Sequence, residues 1–363
     1  MSVILAAKRL AVVPRGGAFA RLRIEDLGAP VLRALLDQAG IAPEAVDELI
    51  CANALGAGGN PARRLALAAG LPERVAGLSI DRQCAGGLDA ILLAHAMVQA
   101  GLAEVVIAGG VESYSRAPER FATDPDGGPA RRYTQAPFTP WPERDPEMSA
   151  AAAALAARLG IARGAQDAWA VASHAKARVA PGEIVALAGV AHDVFARGLT
   201  PAVAARARPL VGSITPANAA VAADGAGFVL VVSDRIAAGR GLRILGGVTL
   251  GGDPEEPGLV PVAAIARALA QLGLRPDQLA LAEVMEAYAV QAMACVAGAG
   301  LAGVPVNIGG GALARGHPIG ASGAILAVRL YYELGAGLGL AAIAAAGGLG
   351  TALVVKREAQ GQI

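Results

Sequence analysis

Apolar runs of strand length alternate along this chain with longer stretches in which apolar residues recur at helical spacing. Strands are predicted at residues 3–7, 48–52 and 105–109, and helices at residues 28–39, 61–69 and 87–99. This alternation is typical of a doubly wound α/β fold, in which helices cover both faces of a sheet.

The second half of the chain repeats the first in outline. Residues 36–44 resemble residues 269–277 at a separation of 233 positions, and a second pair of segments, each containing Gly-Gly, lies 238 positions apart. Applied to Cys84, the first separation leads to His317, so the two residues are predicted to occupy equivalent strand-to-helix turns. Turns related by a pseudo-twofold axis can meet at one site. Chance matching of Ala/Gly-rich segments is the alternative explanation.

The segment 115–221 interrupts this repeat. Prolines crowd its first third and exclude a continuous helix or a central strand there. Helical patterns return at residues 150–158 and 166–177. We therefore predict an inserted subdomain that begins with an irregular excursion and forms a lid over the substrate.

Composition narrows the choice of partners. Hydrophobic residues make up 55% of the 363 positions, and the formal net charge is +1 with no basic or acidic block. Nucleic acid and membranes are therefore not expected partners, and a small-molecule site is favoured. The first apolar run is too short for a signal peptide, which indicates a cytoplasmic protein. Glycines interrupt the apolar run 338–355, so it is predicted as two buried strands joined by a tight turn.

The three cysteines, Cys51, Cys84 and Cys295, have no metal-binding or redox spacing, and their odd number argues against a disulfide framework. Cys84 lies on a Cys-Ala-Gly-Gly turn that opens a predicted helix. A helix N-terminus supplies partial positive charge and unpaired N–H groups, which favour the thiolate. A buried structural cysteine is the alternative, and we favour it for Cys51 and Cys295.

One histidine stands in an unusual setting. Glycines bracket His317 within the segment 307–323, and a proline follows it directly. Such glycines allow the backbone to approach a ligand closely, and the proline restricts how the histidine is presented. The other histidines, His95, His174 and His192, lack this setting and are predicted to be surface or satisfied core groups.

The sequence resembles the thiolase family almost from end to end. The resemblance is carried by Gly-Asn-Pro-Ala-Arg at residues 59–63, the Cys84 segment, Gly-Gly-Val-Glu-Ser-Tyr-Ser at 109–115, Met-Glu-Ala-Tyr-Ala at 285–289, the His317 block and Gly-Gly-Leu-Gly at 347–350. It implies two βαβαβαββ halves in a five-layer αβαβα arrangement with an inserted loop domain. The implied boundaries are 1–114 with 222–242 for the N-terminal half, 115–221 for the loop domain and 243–363 for the C-terminal half.

The resemblance also implies an acyltransferase with coenzyme A or acyl-CoA as substrate and no permanently bound cofactor or metal. Cys84 matches the nucleophile that takes up the acyl group, and His317 matches the base that activates it. The implied oxyanion and substrate pocket contains Ala346, Gly347, Met285 and Ala344. The implied contacts to coenzyme A come from Met148, Ala220, Ala287 and Tyr288. A homodimer is the expected assembly, with a homotetramer as the alternative, because the excursion after residue 115 is short.

The sequence departs from the family pattern at three of these positions. Ala344 replaces a second cysteine that acts as acid and base, Met285 replaces an asparagine that positions a water, and Ala220 replaces a serine near coenzyme A. Losing one oxyanion donor or one general base typically costs about 100-fold or more. Three hypotheses follow: a thiolase with a substitute base, an acyltransferase or thioesterase that makes no carbon–carbon bond, and a non-catalytic acyl-CoA-binding subunit.

Overall fold

The computed structural model describes residues 1–56 and 58–359. The strands are β1 Ser2–Leu10, β2 Val13–Pro14, β3 Glu48–Ala52, β4 Leu78–Ile80, β5 Val105–Glu112, β6 Arg120–Ala122, β7 Arg131–Tyr133, β8 Ile184–Val185, β9 Ala223–Ser233, β10 Leu242–Gly251, β11 Leu279–Val284, β12 Gly337–Ala345 and β13 Leu349–Arg357. The helices are α1 Ile24–Ala39, α2 Pro61–Ala69, α3 Gly86–Gln99, α4 Met148–Leu159, α5 Arg163–Lys176, α6 Pro201–Ala205, α7 Asp234–Ala237, α8 Val260–Gln271, α9 Ala289–Gly298, α10 Ala312–Arg315 and α11 Ile319–Glu333.

The helix termini explain where prediction and structure agree. Helix α2 matches its prediction, because Asn60 caps its first turn, Pro61 occupies the first helical position and Gly70 ends it in a left-handed conformation. Helix α1 begins four residues earlier than predicted. There the Asp26 carboxylate accepts a hydrogen bond from the backbone N–H of Arg23 and starts the helix before the apolar pattern does.

The strands form two sets that meet at one short contact. The strand order is β4-β3-β5-β9-β1 in the first set and β10-β13-β12-β11 in the second. Strands β1 and β10 pair at only three positions, Ser2 to Ile4. In the second set, an isolated bridge between Ala282 and Val306 takes the place that β4 occupies in the first. The two halves thus share a βαβαβαββ order, as the internal repeat predicts.

Five layers pack around three apolar cores, of which the middle one covers both faces of the central layer. The first lies between α1, α2 and the first set of strands. The second includes residues from α3 and α11 and from strands of both sets. The third lies between α8, α9 and the second set of strands. The predicted five-layer αβαβα arrangement is confirmed, and α3 with α11 forms the central layer.

The two central helices touch backbone to backbone. A Cβ atom added at Gly87 in α3 would lie 2.6 Å from the N atom of Ala324 in α11. A Cβ added at Gly323 in α11 would lie 2.5 Å from the N atom of Leu88. Only glycine permits this approach, which brings the first turns of α3 and α11 together.

The inserted segment contains an antiparallel hairpin of β6 and β7, followed by α4 and α5. Its proline-rich first third has no helix longer than the short 3₁₀ turn Pro142–Arg144, as predicted. The run 338–355 forms most of the adjacent strands β12 and β13 and the turn between them. No helix in the described part of the chain is long and apolar enough to cross a membrane.

Candidate active site

Cys84 and His317 meet between the two halves of the molecule. The Sγ atom of Cys84 lies 3.1 Å from Nε2 of His317. Cys84 belongs to a 3₁₀ turn, Gln83–Ala85, that runs directly into α3. His317 precedes α11, and its backbone N–H donates to the carbonyl oxygen of Val221 at 2.8 Å. The predicted meeting of these two side chains is confirmed.

The turn that carries Cys84 has an unusual backbone. Gln83 has a φ of +49°, a region that non-glycine residues rarely adopt. Its N–H donates to a carboxylate oxygen of Asp81 at 2.8 Å, which holds the turn. Such strain persists only where the surroundings require it, and here it places the thiol at the entrance to α3.

A hydroxyl group orients the histidine ring. Nδ1 of His317 lies 2.6 Å from Oγ of Ser322, and that hydroxyl donates to the carbonyl oxygen of Pro318 at 3.1 Å. Because the hydroxyl hydrogen is committed to Pro318, Oγ accepts from Nδ1–H. In this arrangement Nε2, the ring nitrogen that faces Cys84, carries no hydrogen and can accept one.

Burial keeps both groups neutral. It raises the pKa of the Cys84 thiol to about 12 and lowers the pKa of His317 to about 4. The backbone N–H groups of Cys84 and Ala346 oppose the rise in its pKa without cancelling it. The helix terminus also favours the thiolate, but desolvation has the larger effect on the pKa. The pair is therefore a thiol beside a neutral base.

A tight turn supplies the second of these N–H groups. Ala346 follows β12, and Gly347 and Gly348 complete the connection to β13 with φ of +79° and +74°. Two successive positive φ values favour glycine at both positions. The turn directs the N–H of Ala346 toward Cys84.

A cavity of about 270 Å³ opens onto the pair. Its lining includes six of the other residues proposed from the sequence: Met148, Ala220, Ala287, Tyr288, Ala344 and Ala346. The lining combines an apolar wall with a few polar groups, as small-molecule sites do.

The chain matches the family models of the thiolase N-terminal domain over residues 2–185 and the thiolase C-terminal domain over residues 242–357. It belongs to the thiolase family. The protein YhfS of Bacillus subtilis is 39% identical over 97% of this chain and 98% of its own. An acetyl-CoA acetyltransferase of Cupriavidus necator is 38% identical over 98% of this chain and 99% of its own. This thiolase is thus an acyltransferase.

Solved structures agree with this assignment. The Acat5 thiolase of Ascaris suum, in complex with coenzyme A, has a TM-score of 0.91 at 28% identity and covers 98% of this chain and 99% of its own. The acetyl-CoA acetyltransferase of Bacillus anthracis has a TM-score of 0.88 at 31% identity and covers 98% of each chain.

Two predicted pocket residues do not line the cavity of this thiolase. Met285 is 1% exposed and packs in the middle apolar core, because its thioether is as easily buried as a hydrocarbon. Gly347 has no side chain to offer and serves the turn described above.

Other cavity residues were not singled out from the sequence. Tyr114 lies just after β5, Gln135 and Phe138 come from the proline-rich excursion, and Glu256 precedes α8. Tyr114 stands in a family motif, which was its only signal in the sequence. The others come from segments without a recognisable pattern.

A buried carboxylate holds the framework of the site. Glu286 is fully buried and accepts hydrogen bonds from Trp169 Nε1 at 3.0 Å, Ser173 Oγ at 2.7 Å and Asn307 Nδ2 at 2.9 Å. A Cβ atom at Gly311 would lie 2.0 Å from one of its oxygens. Glu286 thus ties α5 of the inserted segment to the loop that carries His317.

The remaining cysteines and histidines have ordinary environments. Cys51 and Cys295 are free and fully buried, as predicted. His95 contacts Ser2 Oγ through Nδ1, and Nδ1 of His174 accepts from the N–H of Arg197. His192 is exposed.

Proposed function

We propose that this thiolase forms an acyl thioester on Cys84, with His317 as the base that removes the thiol proton. The observation that carries the proposal is the 3.1 Å contact between Sγ of Cys84 and Nε2 of His317. A weak nucleophile is activated by an adjacent base in this way, without a preformed thiolate.

Acylation then exchanges one thioester for another. As Cys84 Sγ attacks the carbonyl carbon, the thiol proton passes to Nε2 of His317 and the oxygen becomes negative. The N–H groups of Cys84 and Ala346, which both face the sulfur, can donate to that oxygen. When the leaving group is the thiolate of CoA, it takes the proton back from His317.

The substrate that we propose is an acyl-CoA or 3-ketoacyl-CoA. Relatives are named acetyl-CoA acetyltransferase, and one structural neighbour was solved with coenzyme A. Met148, Ala220, Ala287 and Tyr288 line the cavity and are proposed to contact coenzyme A, which acts as a substrate and not as a resident cofactor.

A second candidate keeps acyl transfer but not carbon–carbon chemistry. Ala344 lines the cavity with a methyl group, which cannot carry a proton. On this alternative the protein is an acyltransferase or thioesterase with another acceptor. A non-catalytic acyl-CoA-binding subunit is the third possibility.

Cleavage of acetoacetyl-CoA by free CoA, followed by intact-mass analysis, separates these functions. We expect the wild-type protein to show turnover and an acetyl adduct. Cys84→Ala should abolish both, and Cys51→Ala should retain both. An adduct without turnover would favour the second candidate. If both turnover and adduct are absent, the proposal is contradicted and only the binding subunit remains.

The proposed setting is the cytoplasm, and the proposed assembly is a homodimer. Strand β4 ends the first set of strands, and its Leu78 is 43% exposed. A second copy would cover this apolar edge. Light scattering tests the assembly: a dimer is expected, and a monomer would contradict it.

A further inference from the structure

Cleavage of a 3-ketoacyl thioester needs a proton donor in addition to the nucleophile and its base. When the bond between C2 and C3 breaks, its electron pair stays on C2 as a thioester enolate, which must be protonated to leave as acetyl-CoA. Ala344 cannot supply that proton. The donor must therefore be another group in the cavity.

The polar cavity residues other than Cys84 and His317 are few: Tyr114, Gln135, Glu256, Tyr288 and Gln291. The two glutamines carry amides, which do not titrate. Glu256 pairs with Arg158 at 2.7 Å and is 40% exposed at the side chain, so it is engaged in an ion pair.

The proton of Tyr288 is already committed. The hydroxyl of Ser149 donates to Glu147 at 3.1 Å, so the contact of 3.2 Å between Ser149 Oγ and the Tyr288 hydroxyl makes Tyr288 the donor. The phenol of Tyr114 has no such hydrogen bond to any of the described residues. It is the remaining cavity group that holds an uncommitted proton.

The backbone around Tyr114 is fixed from both sides. On one side, the carboxylate of Glu112 accepts from the N–H of Gly320 at 3.1 Å. On the other, Ser115 N–H and Oγ both bond to the carboxylate of Asp224, at 3.0 Å and 2.5 Å. Asp224 is fully buried in β9. The phenol is therefore carried by a rigid segment, as a catalytic group must be.

We propose that Tyr114 is the acid that protonates C2 of the leaving thioester enolate, an inference that rests on the acyl-Cys84 function proposed above. Sγ of Cys84 bonds to C3, the C2–C3 bond breaks, and the Tyr114 hydroxyl hydrogen moves to C2. The phenolate recovers a proton from the His317 imidazolium. The net result is that the thiol has lost one hydrogen, C2 has gained one, and Cys84 carries the acyl group.

The environment of the phenol suits a donor. Burial, together with the nearby Cys84 and Glu112, raises the pKa of Tyr114 well above its usual value, so the group stays neutral at physiological pH. A neutral phenol can donate a proton to an enolate, which is far more basic. Regeneration by the His317 imidazolium, which lines the same cavity, is strongly favourable, because the pKa of His317 is low.

The test compares two reactions of the full-length enzyme that both acylate Cys84, of which only one breaks a carbon–carbon bond and protonates carbon. Exchange of isotopically labelled CoA into acetyl-CoA needs Cys84 and His317 alone, whereas CoA-dependent cleavage of acetoacetyl-CoA also needs the acid. We expect Tyr114→Phe to lower cleavage by about 100-fold or more and to change exchange by less than about threefold. Tyr133→Phe, in the hairpin strand β7, serves as the matched control and should change neither.

A second variant adds a rescue. Ala344→Cys places a thiol in the same cavity, and in the Tyr114→Phe background it should restore part of the cleavage activity. Equal loss of both reactions in Tyr114→Phe, or cleavage at the wild-type rate, would overturn the proposal. Wild-type enzyme that exchanges CoA but never cleaves acetoacetyl-CoA would overturn it too, while leaving the acyl-Cys84 function intact. Wild-type enzyme without exchange would refute that function itself.

Discussion

The hydroxyl of Ser322, in the first turn of α11, lies 2.6 Å from Nδ1 of His317, which precedes the helix. The helix that follows the imidazole therefore also selects its tautomer.

Removing the hydroxyl should weaken the base. In Ser322→Ala, Nδ1 loses its acceptor and the ring is free to place its hydrogen on Nε2, facing the thiol. We expect the rate of acyl-adduct formation to fall by about tenfold or more, with Cys84 still present and the fold retained. Rapid-quench mass analysis measures this rate. An unchanged rate would show that another group selects the tautomer.

Acylation should be insensitive to pH where ordinary histidines titrate. Burial lowers the pKa of His317 to about 4, so its Nε2 remains available as a base above about pH 5 and is lost as the pH falls through 4. We expect a flat acylation rate between pH 5.5 and 8, in buffers where the fold is intact. An inflection near 6.5 would contradict the buried, neutral imidazole.

Alkylating reagents should distinguish the three thiols. Cys51 and Cys295 are fully buried, whereas Cys84 is only partly buried and lines the cavity beside a base. We expect iodoacetamide to modify Cys84 at least tenfold faster than the other two, and acyl-CoA to protect it. Peptide mapping by mass spectrometry gives the three rates. Equal rates would argue against activation by His317.

A buried carboxyl group in β11 should make stability depend on pH. Glu283 is fully buried, its oxygens have no hydrogen-bond partner among the described residues, and burial raises its pKa to about 7. The folded state therefore binds a proton that the unfolded state releases between about pH 4.5 and 7, so stability is lost as the pH rises through this window.

Glu283→Gln removes the titrating carboxyl group and with it this loss of stability. We expect the variant to gain stability relative to wild type between pH 5 and pH 8, by on the order of 2 kcal/mol. Urea unfolding at the two pH values measures the difference. Parallel pH profiles for the two proteins would show that Glu283 does not titrate in this range.

Much of the framework could be predicted from local patterns. Helix α2 has a strong cap at each end, and β3 is a short apolar run that follows Glu48, so both match their predicted bounds. The internal repeat also pairs Cys84 with His317, because each half places one of them at the same turn.

The pKa of the Cys84 thiol and the part of the cavity wall formed by irregular segments could not be predicted from the sequence. The pKa of Cys84 depends on how completely the surrounding layers exclude water, which no local motif reports. Phe138 and Glu256 reach the cavity through long-range packing of irregular segments. Met285 was placed by analogy at a polar position, but its side chain follows the apolar core instead.

The backbone contact between α3 and α11 bears on how such an enzyme could arise. A single half paired with an identical copy would present the same residue at both central turns, either two cysteines or two histidines. Joining two copies in one chain removes that constraint and allows each copy to specialise. Gene duplication and fusion would thus supply the asymmetry on which a nucleophile and its base depend. The glycines at the helix crossing keep the two different side chains close enough to interact.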